Sequence, residues 1–158
     1  MANATITTSI VIPAYSEAAR LATGFARLRP GLDVLDPNAT EIIVIDDGSS
    51  DDTLRIAHDL YGSFPATLFV QQPTNRGKGA AVRLGIALAR GSYVISADAD
   101  MAIDPRHLPE FVAALHEVEL APGSRADEGR IRYDSPLRTV AGRAFNRVAR
   151  PLHRGHAA

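Results

Sequence analysis

The sequence predicts an α/β fold in which helices cover both faces of a mostly parallel sheet. Short apolar runs rich in β-branched residues alternate along the chain with stretches of helical periodicity, and a polar loop follows each run. Strands separated by helices are typical of βαβ units, which build a three-layer fold. At 158 residues the chain is expected to form a single domain.

The predicted elements follow in order. The first strand covers 7–12 and ends at Pro13, and a helix with apolar residues at helical spacing follows over 17–28. A second strand over 41–45 leads into a helix that Ser50 or Asp51 caps. The other elements are a third strand over 67–71, a helix over 77–89, a fourth strand over 93–97 and a helix over 105–117 opened by Pro105.

Composition excludes several classes of protein. The chain has no cysteine, which rules out thiol nucleophiles, disulfides and thiolate metal sites. No apolar run reaches the roughly 18 residues of a membrane span, and the N-terminus lacks the pattern of a secretory leader. We therefore expect a cytoplasmic protein without a nucleic-acid partner.

Charge is divided unevenly along the chain. From Ala121 onward eight arginines outweigh three acidic residues, so an acidic front half precedes a basic tail. The segment 136–150 has the pattern of a basic amphipathic helix. Such a helix can contact the inner face of a membrane, or it can pack on its own domain with its arginines in solvent; both interpretations stay open.

Candidate site residues fall in the loops after the four strands. Ligands of parallel sheets bind beyond the carboxyl ends of the strands, so these loops are expected to form one site. The candidates are Pro13, Tyr15 and Glu17 after the first strand, Asp46, Asp47 and Ser49 after the second, Arg76 and Lys78 after the third, and Asp98 and Asp100 after the fourth.

Asp98 and Asp100 stand one residue apart directly after the fourth strand. Strand periodicity would place both side chains on the same side. Neighbouring carboxylates repel unless a cation lies between them, and oxygen ligands suit Mg²⁺ or Mn²⁺. A solvated loop with helix-capping acids is the more frequent meaning of such a pair taken alone. The other three loops favour the metal site.

Those loops offer groups that suit a nucleotide. Tyr15 can stack on a base and Glu17 can accept from base or ribose, although a surface tyrosine and a helix-terminal acid fit equally well. One of Asp46 and Asp47 can accept from a base N–H while the other fixes the turn, or both can belong to an ordinary turn and cap. The glycine-flanked Arg76 and Lys78, at a predicted helix N-terminus, suit an anion.

Two other site types fit the sequence less well. A phosphohydrolase with Asp98 as nucleophile would need a following Thr or Ser and a downstream lysine, yet no lysine follows Lys78. A receiver-like domain using Asp46 and Asp47 would also need an acceptor aspartate and a later lysine.

With the four loops assembled, the chain resembles the inverting family 2 glycosyltransferases, which have the GT-A fold. The matching segments are Ser-Ile-Val-Ile-Pro-Ala-Tyr-Ser-Glu at 9–17, 41–51, 75–85 and Asp-Ala-Asp at 98–100. They occur in the family's order over about 6–125. The segment 75–85, together with Gly123-Ser124-Arg125, is most similar to the dolichyl- or polyprenyl-phosphate β-glucosyltransferases, followed by mannosyl-transferring relatives.

The resemblance implies metal-dependent transfer of glucose from UDP-glucose to a polyprenyl or dolichyl phosphate. Asp98 and Asp100 would hold the ribose and the metal on the diphosphate. Asp100 and Arg125 would be catalytic, with Arg125 facing the acceptor phosphate or the leaving diphosphate. The remaining nucleotide contacts would come from Pro13, Tyr15 and Glu17 around base and ribose, from Asp47 at the base with Asp46 and Ser49 in its loop, and from Arg76 and Lys78 near base or diphosphate.

The chain also departs from the family pattern. Ser16 stands where relatives often have asparagine, and Ala102 stands where mannosyl relatives can place a glutamine metal ligand. Family members continue well past the position of Arg150, so 126–158 is expected to be only a partial acceptor-side segment. The alternatives are a donor-binding fragment with incomplete activity and a mannosyl-type relative that uses GDP-mannose.

Overall fold

The computed structural model describes residues 5–101 together with Leu108, Val112 and Ala113. The chain divides into two units, Met1–Gly123 and Ser124–Ala158, and all described residues belong to the first. The single domain over 1–158 stays a prediction, as does its division into a core and a basic tail.

Strands and helices alternate along the described part of the chain. The strands are β1 (Thr8–Ala14), β2 (Thr40–Asp46), β3 (Thr67–Gln71) and β4 (Tyr93–Ser96), and the helices are α1 (Leu21–Leu32), α2 (Thr53–Tyr61) and α3 (Lys78–Leu88). All neighbouring strands pair in parallel, in the order β3-β2-β1-β4. The predicted α/β fold with a parallel sheet is confirmed. Of the helix predicted over 105–117, only Leu108, Val112 and Ala113 are described, and all three are helical.

The sheet buries both of its faces, because successive side chains of a strand point to opposite sides. Ile10 and Ile12 of β1 belong to the core that α1 and α2 cover. Val11, between them, packs with Ala81 of α3 on the other face. Each such fully buried aliphatic side chain contributes about 1.5–3 kcal/mol to folding. The central strands are therefore held rigidly, and so are the positions at which their loops begin.

Pro13 does not end the first strand, as the sequence predicted. β1 continues to Ala14, and Pro13 pairs in register with Ile45. The Val11 carbonyl accepts from Ala97 N at 2.9 Å, on the β4 side, whereas the Ala14 carbonyl accepts from Asp47 N, on the β2 side. Alternation turns the Pro13 nitrogen towards β4, whose pairing has already ended at Val11. The absent N–H therefore costs no hydrogen bond of the sheet.

Helix α1 begins later than predicted, at Leu21 rather than at residue 17. The Glu17 carbonyl accepts from the backbone nitrogens of Arg20 and Leu21, at 2.8 and 3.0 Å, and forms a turn ahead of the helix. Ser16, just before this turn, has a φ of 51°. The left-handed residue and the turn lengthen the loop after β1 and bring it against the start of α2. Among the described helices, none has the length and apolar character needed to cross a membrane.

Candidate active site

Hydrogen bonds join the loops at the carboxyl ends of the strands. The loop after β1 contacts the loop after β2, since Ser16 N donates to Ser49 Oγ at 2.9 Å and Glu17 N donates to Thr53 Oγ1 at 2.8 Å. Further contacts, described below, join the second loop to the third and the third to the fourth. The structure thus brings together the four loops that the sequence predicted to share one edge of the sheet.

Asp46 is fully buried and fixes its own turn. Its Oδ1 accepts from the backbone nitrogen of Ser49 at 3.2 Å and from the hydroxyl of the same residue. Its Oδ2 accepts from Gln71 Nε2 at 2.8 Å, which ties the turn to the end of β3. Asp46 and Ser49 thus hold the turn after β2, and their expected part in nucleotide binding stays a prediction.

Asp47 connects the second loop to the third. Its carboxylate is 2% exposed and accepts three hydrogen bonds from this chain. Oδ1 accepts from Gln72 Nε2 at 2.7 Å and from Arg76 N at 2.9 Å, and Oδ2 accepts from Gly77 N at 2.7 Å. Asp47 thereby determines the path of the backbone that leads into α3. Its contact with a base stays a prediction.

The start of α3 contacts the fourth loop through Lys78. Gly77, with a φ of 87°, precedes the helix, and Lys78 is its first residue. The Lys78 ammonium lies 2.5 Å from Asp98 Oδ1. One cation of the third loop is therefore paired with one carboxylate of the fourth. Arg76 is exposed in the same loop.

Asp98 and Asp100 lie in a turn rather than on a strand, so strand periodicity does not place their side chains. β4 ends at Ser96, and Met101 N donates to the Asp98 carbonyl at 2.9 Å, which closes a four-residue turn. Met101 has a φ of 46°. The orientation of the two carboxylates therefore depends on the geometry of the turn and on the residues that pack against it.

Asp100 has a carboxylate oxygen without a donor. Its Oδ1 is buried and has no hydrogen-bond partner in the structure. A buried anionic oxygen is costly unless a donor or a cation compensates it. The pair thus offers the Asp98 carboxylate, which an ammonium holds, and the Asp100 carboxylate, one oxygen of which is buried without a hydrogen-bond partner. Within the part of the chain that is described, no group of three or more His, Cys, Asp or Glu is placed to hold a metal ion.

The first loop presents an aromatic ring and an ion pair. Tyr15 is 49% exposed, whereas Pro13 is buried in β1. The Glu17 carboxylate accepts from Arg20 Nε at 2.7 Å and from Arg20 Nη2 at 2.9 Å. Beside this loop, Asp51 accepts from the Thr53 hydroxyl and backbone nitrogen, and these hydrogen bonds lower the pKa of Asp51 despite partial desolvation.

Four residues that shape this edge were not among the candidates. Gln71 and Gln72 hold the two aspartates of the second loop, and Gly24 and Arg27 of α1 contact the turn of Asp98–Asp100. A polar pair at the end of a strand and an isolated glycine in a helical pattern were the available signals. Arg125 lies outside the described residues, as do the segment 136–150 and Ala102, so their expected roles stay predictions.

An open groove lies at the opposite edge of the sheet. Glu41, Thr67 and Arg90 line it, at or beside the amino ends of β2, β3 and β4. None of the candidate site residues contributes to its wall. The polar loops at the carboxyl ends are thus a separate region of the molecule.

The chain is similar in sequence to curated glycosyltransferases. The chain is 32% identical over 147 residues to human dolichyl-phosphate beta-glucosyltransferase. This match covers 89% of this chain and 45% of the relative. It is 30% identical over 150 residues to the dolichol-phosphate mannosyltransferase of Saccharomyces cerevisiae, covering 91% of this chain and 55% of the relative. The chain spans about half the length of these two relatives.

Solved structures show the same fold. TarS of S. aureus, residues 1–349, matches with a TM-score of 0.61 at 24% identity, over 82% of this chain and 39% of that one. The mannosyltransferase PcManGT from Pyrobaculum calidifontis, in complex with GDP-Man and Mn²⁺, also has a TM-score of 0.61, at 23% identity, over 68% of this chain and 32% of that one. These neighbours are GT-A glycosyltransferases, and the GT-A fold expected from the sequence is confirmed. The model of the family "Glycosyl transferase family 2" matches residues 9–149, and the chain belongs to that family.

Proposed function

We propose that this chain is a metal-dependent glycosyltransferase that moves glucose from UDP-glucose to a polyprenyl or dolichyl phosphate. The observation that carries the proposal is the turn after β4, in which Asp98 pairs with Lys78 and the buried Asp100 Oδ1 has no hydrogen-bond partner. A nucleoside diphosphate needs cations, and a buried carboxylate oxygen needs a cation too. A divalent ion held by Asp98 and Asp100 would meet both needs.

The fourth loop suits a hard metal ion. Asp98 and Asp100 would hold Mg²⁺ or Mn²⁺, ions that one or two carboxylates typically bind together with substrate phosphates. The absence of a donor to Asp100 Oδ1 supports this fit, because that oxygen gains compensation when the ion binds. When bound, the ion neutralises charge on the departing diphosphate. Asp98 would also contact the ribose.

The other loops would hold the nucleoside and its phosphates. The exposed ring of Tyr15 offers a stacking face beside Pro13, and Glu17 offers an acceptor for the ribose or base. Arg76 and Lys78 would approach the diphosphate at the start of α3, where the helix end favours negative charge. Asp47 would meet the base at the loop that Asp46 and Ser49 support.

A lipid phosphate makes the transfer step simple. The second pKa of a phosphate monoester is about 6, so its oxygen is an anion at neutral pH and needs no general base. That oxygen attacks C1 of glucose as the bond from C1 to the diphosphate breaks, and UDP leaves with the electron pair. Attack from the opposite face inverts C1. We assign Arg125 to stabilisation of the acceptor phosphate or of the leaving diphosphate.

The names of the relatives favour glucose as the transferred sugar, and some of them favour mannose. Proteins named dolichyl-phosphate beta-glucosyltransferase from Homo sapiens and Dictyostelium discoideum are each 32% identical to the chain. Ala102 lacks the side chain that could act as a further metal ligand in mannosyl relatives. GDP-mannose is the second candidate, favoured by the yeast mannosyltransferase and by the fold neighbour with bound GDP-Man.

Calorimetry tests donor binding. We expect UDP-glucose to bind the wild-type chain in the presence of Mn²⁺ and to lose most of its affinity in Asp100→Ala. Asp59→Ala removes an exposed aspartate of α2 that pairs with Arg55 at 3.0 Å, and it should bind like the wild type. Undiminished binding by Asp100→Ala would contradict the metal role.

A transfer assay separates the remaining alternatives. Labelled UDP-glucose or GDP-mannose is incubated with the chain, Mn²⁺ and a polyprenyl phosphate in detergent, and the lipid fraction is counted. Label from UDP-glucose supports the glucosyltransferase, and label from GDP-mannose alone selects the mannosyl type. Donor binding without a labelled lipid identifies a binding fragment.

We also propose that the basic segment 136–150 holds the chain at the inner face of a membrane, close to a lipid acceptor. Its arginines alternate with apolar residues at helical spacing, which suits an anionic surface. Sedimentation with anionic vesicles should deplete the wild-type chain from solution, and added salt should release it. Equal binding to neutral vesicles would contradict the electrostatic part of this proposal.

A further inference from the structure

Helix α1 touches the backbone of the turn that carries Asp98 and Asp100. A Cβ atom built on Gly24 would lie 1.9 Å from the Ala99 carbonyl oxygen and 3.3 Å from Asp100 Cα. Atoms cannot approach that closely, so any side chain at position 24 has to push the helix and the turn apart. Ala99 is itself buried, which leaves the turn little room to yield on its other side.

The same helix also donates a hydrogen bond to this turn. Arg27 lies one helical turn after Gly24, and its Nη1 donates to the Asp100 carbonyl at 3.1 Å. Gly24 therefore sets how near the helix comes, while Arg27 holds the last residue of the carboxylate pair at that distance.

Apart from these contacts with α1, little regular structure fixes the position of the turn. The sheet pairing of β4 has ended before Asp98, and Met101 departs in the left-handed region, with a φ of 46°. The internal hydrogen bond from Met101 N to the Asp98 carbonyl closes the turn but does not fix its distance from the other loops. The contacts with α1, together with the ion pair between Lys78 and Asp98, supply that distance.

We infer that Gly24 and Arg27 are positioning residues, which set where Asp98 and Asp100 stand for the metal and the diphosphate. This inference rests on the proposed function. Both residues contact the backbone of the turn, and each would act through that contact. Groups that orient metal ligands typically change metal affinity by roughly 10- to 100-fold when they are replaced.

The first test compares two glycine-to-alanine variants. Gly85 of α3 is also tightly packed, because its Cβ would lie 2.2 Å from Val11 Cγ1, but it faces the opposite side of the sheet. We expect Gly24→Ala and Gly85→Ala both to be less stable than the wild type. Only Gly24→Ala should lose Mn²⁺ affinity in calorimetry, by roughly tenfold or more. Equal affinity in the two folded variants would overturn the inference.

Arg27 gives a second test that does not depend on tight packing. Arg27→Met keeps an apolar stem of similar reach and removes the donor, whereas Arg27→Lys keeps a cationic donor. We expect weaker Mn²⁺ binding in Arg27→Met and partial recovery in Arg27→Lys, with melting temperatures close to the wild type. If Gly24→Ala does not fold, the two Arg27 variants test the inference by themselves. Unchanged Mn²⁺ affinity in Arg27→Met would overturn the role of Arg27.

Hydrogen exchange without metal separates this inference from the proposed function. The Met101 amide reports on the turn directly, since it donates to the Asp98 carbonyl. Its protection should fall in Gly24→Ala and Arg27→Met and remain in Gly85→Ala. If the wild type binds no Mn²⁺ but this exchange pattern holds, the proposed function fails and the positioning contact stands. Unchanged protection in both α1 variants would refute the contact itself.

Discussion

The Lys78 ammonium lies 2.5 Å from Asp98 Oδ1, so a cation of this chain already neutralises one carboxylate of the Asp98–Asp100 pair. The two side chains are 63% and 35% exposed. Exposed ion pairs of this kind are worth about 0–1 kcal/mol, which a divalent ion readily exceeds. Under the proposed function, metal binding would release Lys78 from Asp98 and leave the ammonium free to meet the diphosphate.

Replacing Lys78 should therefore act in opposite directions on metal and nucleotide. In Lys78→Met we expect Mn²⁺ alone to bind up to about fivefold tighter, because the competing ion pair of at most about 1 kcal/mol is gone. UDP in the presence of Mn²⁺ should bind more weakly, because a diphosphate contact is lost. Calorimetry with and without UDP measures both. Arg83→Met, which removes another exposed cation of α3, is the control. Weaker binding of Mn²⁺ alone by Lys78→Met would contradict this competition.

Tyr61 is predicted to tolerate loss of its hydroxyl. The residue is fully buried, its ring packs edge-on against Phe25 at 4.9 Å, and its hydroxyl has no hydrogen-bond partner in the structure. Burial raises the pKa of Tyr61, which stays neutral. An unpaired buried polar group costs about 1–3 kcal/mol, so Tyr61→Phe should raise the free energy of unfolding by about 1 kcal/mol. Urea denaturation measures it. Tyr61→Leu, which also removes the ring, should lower stability instead.

Ser16 offers a test of backbone conformation. Its φ of 51° lies in the left-handed region, which asparagine tolerates better than serine. We expect Ser16→Asn to gain about 0.5 kcal/mol and Ser16→Val to lose at least about 1 kcal/mol, measured by thermal unfolding. Ser50→Asn, in the exposed loop after β2, should change little. Equal stability of all three variants would show that φ at position 16 carries no strain.

Glu41 should make stability depend on pH. This 5%-exposed carboxylate accepts from Ser9 Oγ at 2.7 Å, from Arg90 N at 2.7 Å and from Arg90 Nε at 2.8 Å. Burial alone would raise the pKa of Glu41, but these hydrogen bonds and the guanidinium charge bring it below its ordinary value of 4.5. Hydrogen bonds to a charged group contribute about 1.5–3 kcal/mol, so Glu41→Gln should lose roughly 2 kcal/mol at pH 7.

The sign of this pH dependence follows from the lowered pKa. The unfolded chain binds a proton on Glu41 near pH 4.5, before the folded chain does. The stability that the carboxylate supplies is therefore complete above that pH and disappears as the pH falls through the folded pKa. Urea unfolding of wild type and Glu41→Gln between pH 7 and about pH 3 should show a difference that shrinks on acidification. A difference that grows as the pH falls would contradict the assignment.

The sequence by itself determined the elements and the edge of the sheet where the chemistry lies. Continuous β-branched runs at β1 and β2 could be recognised because both faces of a parallel strand are buried, which leaves little room for other residue types. The polar residues that follow each strand could be assigned to one edge because parallel strands end together. Segments in the family's order were enough to indicate the GT-A fold, which the comparisons confirm.

Only the tertiary structure decided how the pair Asp98 and Asp100 is held in place. Strand periodicity did not apply to it, because the residues lie in a turn after β4 has ended. The contacts that fix this turn come from Gly24, Arg27 and Lys78, which are far from it along the chain. Tertiary structure also explains why a proline is tolerated within β1. Pro13 lies beyond the point at which β4 stops pairing with that strand, so no strand that the structure describes needs its missing N–H. Local patterns specify elements, whereas distances between loops depend on long-range packing that no local pattern records.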